Sequence, residues 1–121
     1  MDIKKIAENT WQIPKSGKMN VPAIIYASDL LLEKIKQDDS IQQGMNVACM
    51  PGIQKQSIML SDSHQGYGFS VGGVAAFDLE NGCISPGGIG FDINCGVRLL
   101  TTSLTKKDVE GKIKELINTL F

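Results

Sequence analysis

Histidine is almost missing from this chain: His64 is the only one among 121 residues, as Arg98 is the only arginine. One imidazole adds at most one ligand to a metal centre, so the chain cannot build a histidine-rich site by itself. Cysteine is scarce too. Cys49, Cys83 and Cys95 show no C-x-x-C spacing, and an odd count without a secretory signal argues against a disulfide framework and for a reducing setting. Nothing apolar enough for a signal-peptide core follows Met1-Asp2-Ile3-Lys4-Lys5, and no apolar run approaches the roughly 20 residues that a spanning helix needs. The expectation is a cytoplasmic protein without a membrane partner. Net charge is only −1, so there is no general basic field. Any contact with nucleic acid must rest on a local patch or on residues outside this chain. Internal repeats, low-complexity tracts and linkers are also lacking.

What is present fits one globular unit. The apolar fraction is 42% and the charged fraction 21%, which excludes a disordered chain, and the length allows one core but not two. Trp11–Pro14 and Val21–Tyr26 read as two short strands joined by a polar turn, with the prolines pointing to edge positions. Ser28 is placed to cap a helix running to about Lys36, with Leu30, Leu31 and Ile35 on its apolar side. Asp39 or Ser40 caps a second helix through Ile41, Met45 and Val47.

Residues 49–75 are rich in glycine and show no clear period. Phe77–Ile84 reads as a hairpin around Asn81-Gly82, since both residues tolerate the left-handed conformation of a type I′ turn. Val97–Ser103 reads as a further strand. The last segment carries a capping box, Thr105 with Asp108, and an apolar stripe of Val109, Ile113, Leu116, Ile117 and Leu120. The fold expected is α+β: a mixed sheet of short strands, an Asn-Gly hairpin and about three helices. The stripe runs to Phe121 without a glycine cap or proline stop. This fits either a helix end packed on the core or a chain that continues.

Two segments hold the residue types that do chemistry. Gly90-Phe91-Asp92-Ile93-Asn94-Cys95-Gly96-Val97-Arg98 sets a carboxylate and a thiol three residues apart among glycines. Glycine enters positive φ without steric cost, so Gly87, Gly88, Gly90 and Gly96 suit a tight turn in which Asp92 and Cys95 reach one metal ion. Thiolate favours soft or borderline metals, whereas carboxylate also suits manganese or magnesium. Cys49 and Cys83, among apolar neighbours, are expected to be small buried hydrophobes.

The second segment is Asp62-Ser63-His64-Gln65-Gly66-Tyr67-Gly68. In an extended segment Asp62 and His64 share a side, and a carboxylate there can fix a histidine tautomer for metal binding or acid–base work. Taken alone, the pair reads more readily as a surface histidine beside a loop aspartate. Asp92, Cys95 and His64 together make only part of a metal shell. Gly66–Gly73 misses the G-x-G-x-x-G spacing by one residue, and no Walker lysine follows Gly87-Gly88, so a phosphate loop is not indicated.

These blocks resemble the RtcB family, the tRNA-splicing RNA ligases. The matching text is Met50-Pro51-Gly52-Ile53, Asp62–Phe69, Gly72–Asp78 and Gly82–Arg98, with Val21-Pro22 and the helix after Ser28 fitting the family's opening. The resemblance implies that residues 1–121 are the N-terminal portion of an RtcB-like ligase domain, as a fragment or truncated chain, and part of a larger RtcB fold. It implies a GTP- and manganese-dependent enzyme joining an RNA 3′-phosphate or 2′,3′-cyclic phosphate end to a 5′-hydroxyl end, in tRNA splicing or RNA repair. In such enzymes a histidine is first guanylated and the guanylate then passes to the RNA phosphate.

By the same resemblance Asp92 and Cys95 are manganese ligands, with the Cys95 thiolate suited to bridge two ions. Asp62 is the acid that helps orient the guanylated histidine, His64 has a supporting or RNA-proximal role, and Arg98 is suited to position phosphate. RNA is the implied partner, with an activating protein left open. The guanylated histidine and most of the GTP pocket belong to parts of the family absent here, because His64 sits in a different motif. The chain alone is therefore expected to be inactive, and the resemblance favours the fragment. A second reading is a metal-binding or interaction subunit of a split protein, completed by a partner chain. A third, a cysteine hydrolase using Cys95 and His64, has only the presence of both residues behind it.

Overall fold

Residues 2–120 are described by a computed structural model. The strands are β1 (Lys4–Ala7), β2 (Thr10–Ile13), β3 (Ala23–Tyr26), β4 (Ile53–His64) and β5 (Val71–Phe77). The helices are α1 (Asp29–Ile35), α2 (Ser40–Val47), α3 (Pro86–Ile89), α4 (Lys106–Val109) and α5 (Ile113–Leu120), with a 3-10 turn, Glu110–Lys112, between the last two. The strands form one mixed sheet in the order β1-β2-β3-β4-β5, in which only β3 and β4 run parallel. The α+β class is as expected. No helix among the described residues is long and apolar enough to cross a membrane.

β3 is Ala23-Ile24-Ile25-Tyr26, with its first three side chains buried. Such an apolar run suits a strand covered on both faces and paired in parallel, which requires a long crossover. Residues 27–52 supply it through α1 and α2. Ser28 caps α1 by accepting the Leu31 N–H at 3.3 Å, as its position before the apolar run implies. The buried side of α1, however, is Leu32 and Ile35, while Leu30 faces solvent. Three consecutive leucines leave the face of a short helix undetermined by pattern. The core forms where α1 and α2 meet the sheet, with Ile13, Ile25, Leu32 and Met59 fully buried.

α2 approaches β4 closely because residue 44 is glycine. A Cβ there would lie 2.4 Å from Met59 Sδ, and the Ser57 hydroxyl donates to the Gly44 carbonyl at 2.9 Å.

Several expectations on local structure are corrected. β2 and β3 are interior strands, and Pro14 and Pro22 lie just outside them, where no ladder N–H is required. Residues 49–75, without a period in sequence, contain the longest strand. Lys55 has φ 55°, and the β4–β5 register shifts twice, so the side-chain alternation breaks within the strand.

The Asn81-Gly82 hairpin is absent: β5 ends at Phe77 and no strand follows among the described residues. Asp78 Oδ1 accepts the Glu80 and Asn81 N–H groups at 3.0 and 2.8 Å and the Asn81 side-chain amide at 3.1 Å. An aspartate turn thus captures the donors that a hairpin ladder would use. Val97–Ser103 is coil rather than strand.

Three helices were expected. The C-terminal one is divided into α4, the 3-10 turn and α5, and the short α3 is additional. Its capping box is formed, with the Thr105 N–H donating to Asp108 Oδ2 at 2.7 Å. Cys49 and Cys83 are half-buried rather than buried. The Cys49 thiol lies at the end of α2 and donates to the Met45 carbonyl at 3.3 Å, while Cys83 follows the exposed Asp78 turn. No described residue after Ser70 is buried. The expected helix end at Phe121 lies outside the described residues.

Candidate functional site

The end of β4 carries Asp62, Ser63 and His64. Alternation along the strand buries Ser63 and puts Asp62 and His64 on the exposed side together. His64 Nδ1 lies 2.8 Å from the Asp62 main-chain carbonyl. A carbonyl can only accept, so Nδ1 carries a proton, and in the neutral ring Nε2 is then the nitrogen with the lone pair. The tautomer is thus held by the carbonyl of Asp62 rather than by its carboxylate.

That carboxylate packs on Gly72 of β5. A Cβ on Gly72, whose φ is +71°, would meet Asp62 Oδ1 at 2.5 Å and Ser63 N at 3.1 Å. The pairing of β4 with β5 therefore fixes where the carboxylate can sit.

The loop after His64 is clamped from α2. Gln43 makes a reciprocal pair with Gly66, accepting its N–H at 2.9 Å and donating to its carbonyl at 2.8 Å. Asp38 Oδ2 accepts the Gln65 N–H at 2.9 Å while Oδ1 accepts that of Ser40 at 2.8 Å. Hydrogen bonding from Ser40 above all, joined by the Gln65 N–H and the nearby His64 charge, holds the Asp38 carboxyl below its ordinary value. Sequence reasoning missed Asp38 and Gln43 as parts of the site. Asp38 stands in sequence next to the candidate caps Asp39 and Ser40 with nothing to set it apart, and no local pattern links Gln43 to a loop 23 residues away.

The second wall of the site is the segment from Ser85 to Cys95. Ser85 caps α3 by accepting the Gly88 N–H at 3.2 Å. The ring of Phe69 lies against Gly87 and Gly88, within 3.3 Å of where a Gly88 Cβ would stand. Tyr67 and Phe91 meet edge to face with ring centres 6.0 Å apart. These two aromatic contacts bring the two chemistry-bearing loops together.

Asp92-Ile93-Asn94-Cys95 is the tight turn expected. The Cys95 N–H and thiol both donate to the Asp92 carbonyl, at 3.3 and 3.5 Å. Cys95 and Gly96 both adopt positive φ, at 50° and 73°. A non-glycine residue in that region stores strain of about 1–3 kcal/mol, which neighbouring structure has to hold.

His64, Asp92 and Cys95 line one cleft of about 390 Å³. Asp62 stands beside it on β4, whereas Arg98 lies beyond it in exposed coil. Among the described residues no three His, Cys, Asp or Glu side chains are grouped closely enough to hold a metal ion. Any metal here would need further donors from another segment.

Comparison with known proteins places the same segments in a wider set. The family model described as tRNA-splicing ligase RtcB matches residues 43–121, more than half of the chain. A tRNA-splicing ligase RtcB from Thermococcus kodakarensis is 59% identical, over 98% of this chain and 25% of that relative. One from Aeropyrum pernix is 57% identical with the same coverage, and one from Nanoarchaeum equitans is 51% identical over 100% of this chain and 26% of its own length. The chain spans about a quarter of the length of these relatives.

Proposed function

This chain belongs to the RtcB family of tRNA-splicing ligases, and from that premise we propose that it is the N-terminal portion of a GTP- and manganese-dependent RNA ligase domain. Its substrates are RNA ends: a 3′-phosphate or 2′,3′-cyclic phosphate on one side and a 5′-hydroxyl on the other. It acts in the cytoplasm, where three free thiols persist. The observation that carries this reading is the single cleft lined by His64, Asp92 and Cys95.

The donor chemistry fits manganese in part. The Asp92 carboxylate is an oxygen ligand of the kind manganese takes, and the Cys95 thiolate adds a softer one. Asp92 and Cys95 would hold the metal, which when bound offsets negative charge on phosphoryl groups. Within this chain, the Asp62 main-chain carbonyl keeps a proton on His64 Nδ1. The Gln43–Gly66 pair holds the loop that follows that ring, and Phe69 and Phe91 line the cleft. Two or three donors do not complete a shell, and His64, the only histidine here, lies in a different motif from the histidine that the family guanylates. This chain alone is therefore inactive.

The test is to join this chain to the unmatched part of the Thermococcus kodakarensis relative. GTP-dependent labelling of the protein and ligation of RNA with 2′,3′-cyclic phosphate and 5′-hydroxyl ends are then measured. Activity in the joined protein, lost on Cys95→Ala and Asp92→Ala and absent from this chain alone, is the expected result. Ligation by this chain alone, or a joined protein indifferent to both substitutions, overturns the reading.

A further inference from the structure

His64 is exposed, yet its backbone is held on both sides. On one side it pairs with Val71 in the β4–β5 ladder. On the other, the Gln65 N–H donates to Asp38 Oδ2 at 2.9 Å, and Gln43 binds both main-chain groups of Gly66. Main-chain groups of exposed loops are ordinarily left to water, whereas these three are taken by side chains 27 and 23 residues away. The holders are themselves fixed. Asp38 Oδ1 accepts the N–H of Ser40, the buried first residue of α2, whose hydroxyl donates to the Ile35 carbonyl at 3.1 Å. α2 rests in turn on β4, where the Ser57 hydroxyl donates to the Gly44 carbonyl. These contacts close a circuit from β4 to α2, from α2 to the loop, and back to the end of β4 where His64 stands.

Fixing the Gln65 N–H fixes the plane of the peptide between residues 64 and 65, because a peptide unit turns as one rigid body. With the ladder setting the residue from the other side, the Cα–Cβ bond of His64 is left one direction. The Asp62 carbonyl then sets the ring through Nδ1. His64 lines the cleft with Asp92 and Cys95, but Asp38 and Gln43 do not. We propose that Asp38 and Gln43 are positioning residues for the His64 ring and act on the cleft through that ring alone. Their contribution is accuracy. A group misplaced by about 1 Å can lose on the order of 100-fold in rate, so a ring carried at the edge of an exposed loop needs support that packing there does not supply. The consequence for ligation rests on reading this cleft as part of a ligase site; the ring geometry does not.

Nitrogen NMR of the single imidazole tests this directly. A neutral histidine without partners carries its proton mainly on Nε2, so an Nδ1–H ring is a signature of the Asp62 contact. At about pH 8, above the ordinary imidazole value of about 6.5, this chain should show His64 protonated on Nδ1. Asp38→Asn keeps the size of the side chain but can accept from Ser40 or Gln65, not from both. Gln43→Glu still accepts the Gly66 N–H and can no longer donate to its carbonyl. Each should move the ring towards the Nε2–H form. Asp78→Asn removes another carboxylate that holds main-chain N–H groups, one that does not line the cleft, and should leave the ring signal in place. A parent ring protonated on Nε2, a signal unmoved by both clamp variants, or one moved equally by Asp78→Asn overturns the positioning role. If Asp38→Asn fails to fold, Gln43→Glu carries the measurement. In the joined protein, Asp38→Asn should lower the ligation rate at least ~10-fold when His64 is present and less than ~2-fold when His64→Ala has already been made. Equal losses in both backgrounds would mean a route other than the ring and overturn it; where His64→Ala leaves no measurable rate, the ring signal decides. A ring that responds as expected in a joined protein that does not ligate removes the proposed activity and leaves the positioning role standing. Ligation with equal losses in the two backgrounds does the reverse.

Discussion

Asp62 and Gly72 are in direct contact across β4 and β5, with the Asp62 carboxylate occupying the space that a side chain at position 72 would need. Two constraints meet at that glycine, since its φ of +71° is also one that side-chain-bearing residues rarely adopt. Gly72→Ala should therefore cost about 1–3 kcal/mol, read as a lower urea midpoint. In the joined protein it should reduce ligation further than a stability loss of that size explains, because the carboxylate must move. An alanine variant with unchanged stability and activity would show that the contact constrains nothing.

Gln43 satisfies both main-chain groups of Gly66 and is itself nearly buried. Removing its amide leaves a donor and an acceptor without partners, so Gln43→Ala should destabilise by about 1–3 kcal/mol. The Gly66 amide should lose exchange protection before the amides of α2 do. Equal loss across both segments would mean that the helix, not the clamp, had been damaged.

Acid should weaken this fold in a defined window. Hydrogen bonds from Ser40 hold Asp38 below its ordinary 3.8, and those from Asn81 and Glu80 do the same for Asp78. A carboxyl with a depressed folded value adds stability that is fully present above its unfolded value. That stability disappears as pH falls through the folded value. The urea midpoint should thus respond little to these groups between pH 7 and 5 and fall below about pH 4. Asp38→Asn and Asp78→Asn should each flatten that fall, and profiles indistinguishable from the parent would contradict the assignment.

Ser63 holds the only buried side-chain polar atom without a hydrogen-bond partner among the described residues. Removing an unsatisfied hydroxyl forfeits no bond and relieves a desolvation cost, so Ser63→Ala should be neutral or stabilising by up to about 1 kcal/mol. A clear drop in thermal midpoint would instead reveal a partner for that hydroxyl.

Gly44→Ala sets helix propensity against packing. Alanine gains about 1 kcal/mol in a helix, but its Cβ would meet Met59 Sδ at 2.4 Å in a full core, where overpacking costs about 1–3 kcal/mol. The net expectation is a modest loss of stability that shrinks when Met59→Ala is combined with it, as a double-mutant cycle would read.

Much of this protein was legible without coordinates. The Ser28 cap, the helix after Asp39, the Thr105–Asp108 capping box and the turn of Asp92 to Cys95 all follow from interactions spanning three or four residues. Such interactions act within a stretch short enough to be written in the sequence. The family was legible for the same reason, as contiguous blocks with particular residue types in order. Other features were decided only by tertiary structure. β4 was hidden because bulges break its alternation, and the Asn81-Gly82 hairpin was displaced by an aspartate that takes its donors first. The buried face of α1 was settled by what α1 packs against. The candidate site belongs to the same class: His64 and Cys95 share a cleft because aromatic rings from one loop rest on glycines and a phenylalanine of another. Contacts between segments some 20–30 residues apart depend on how strands pair and helices pack, and that information resides in no single stretch of the chain.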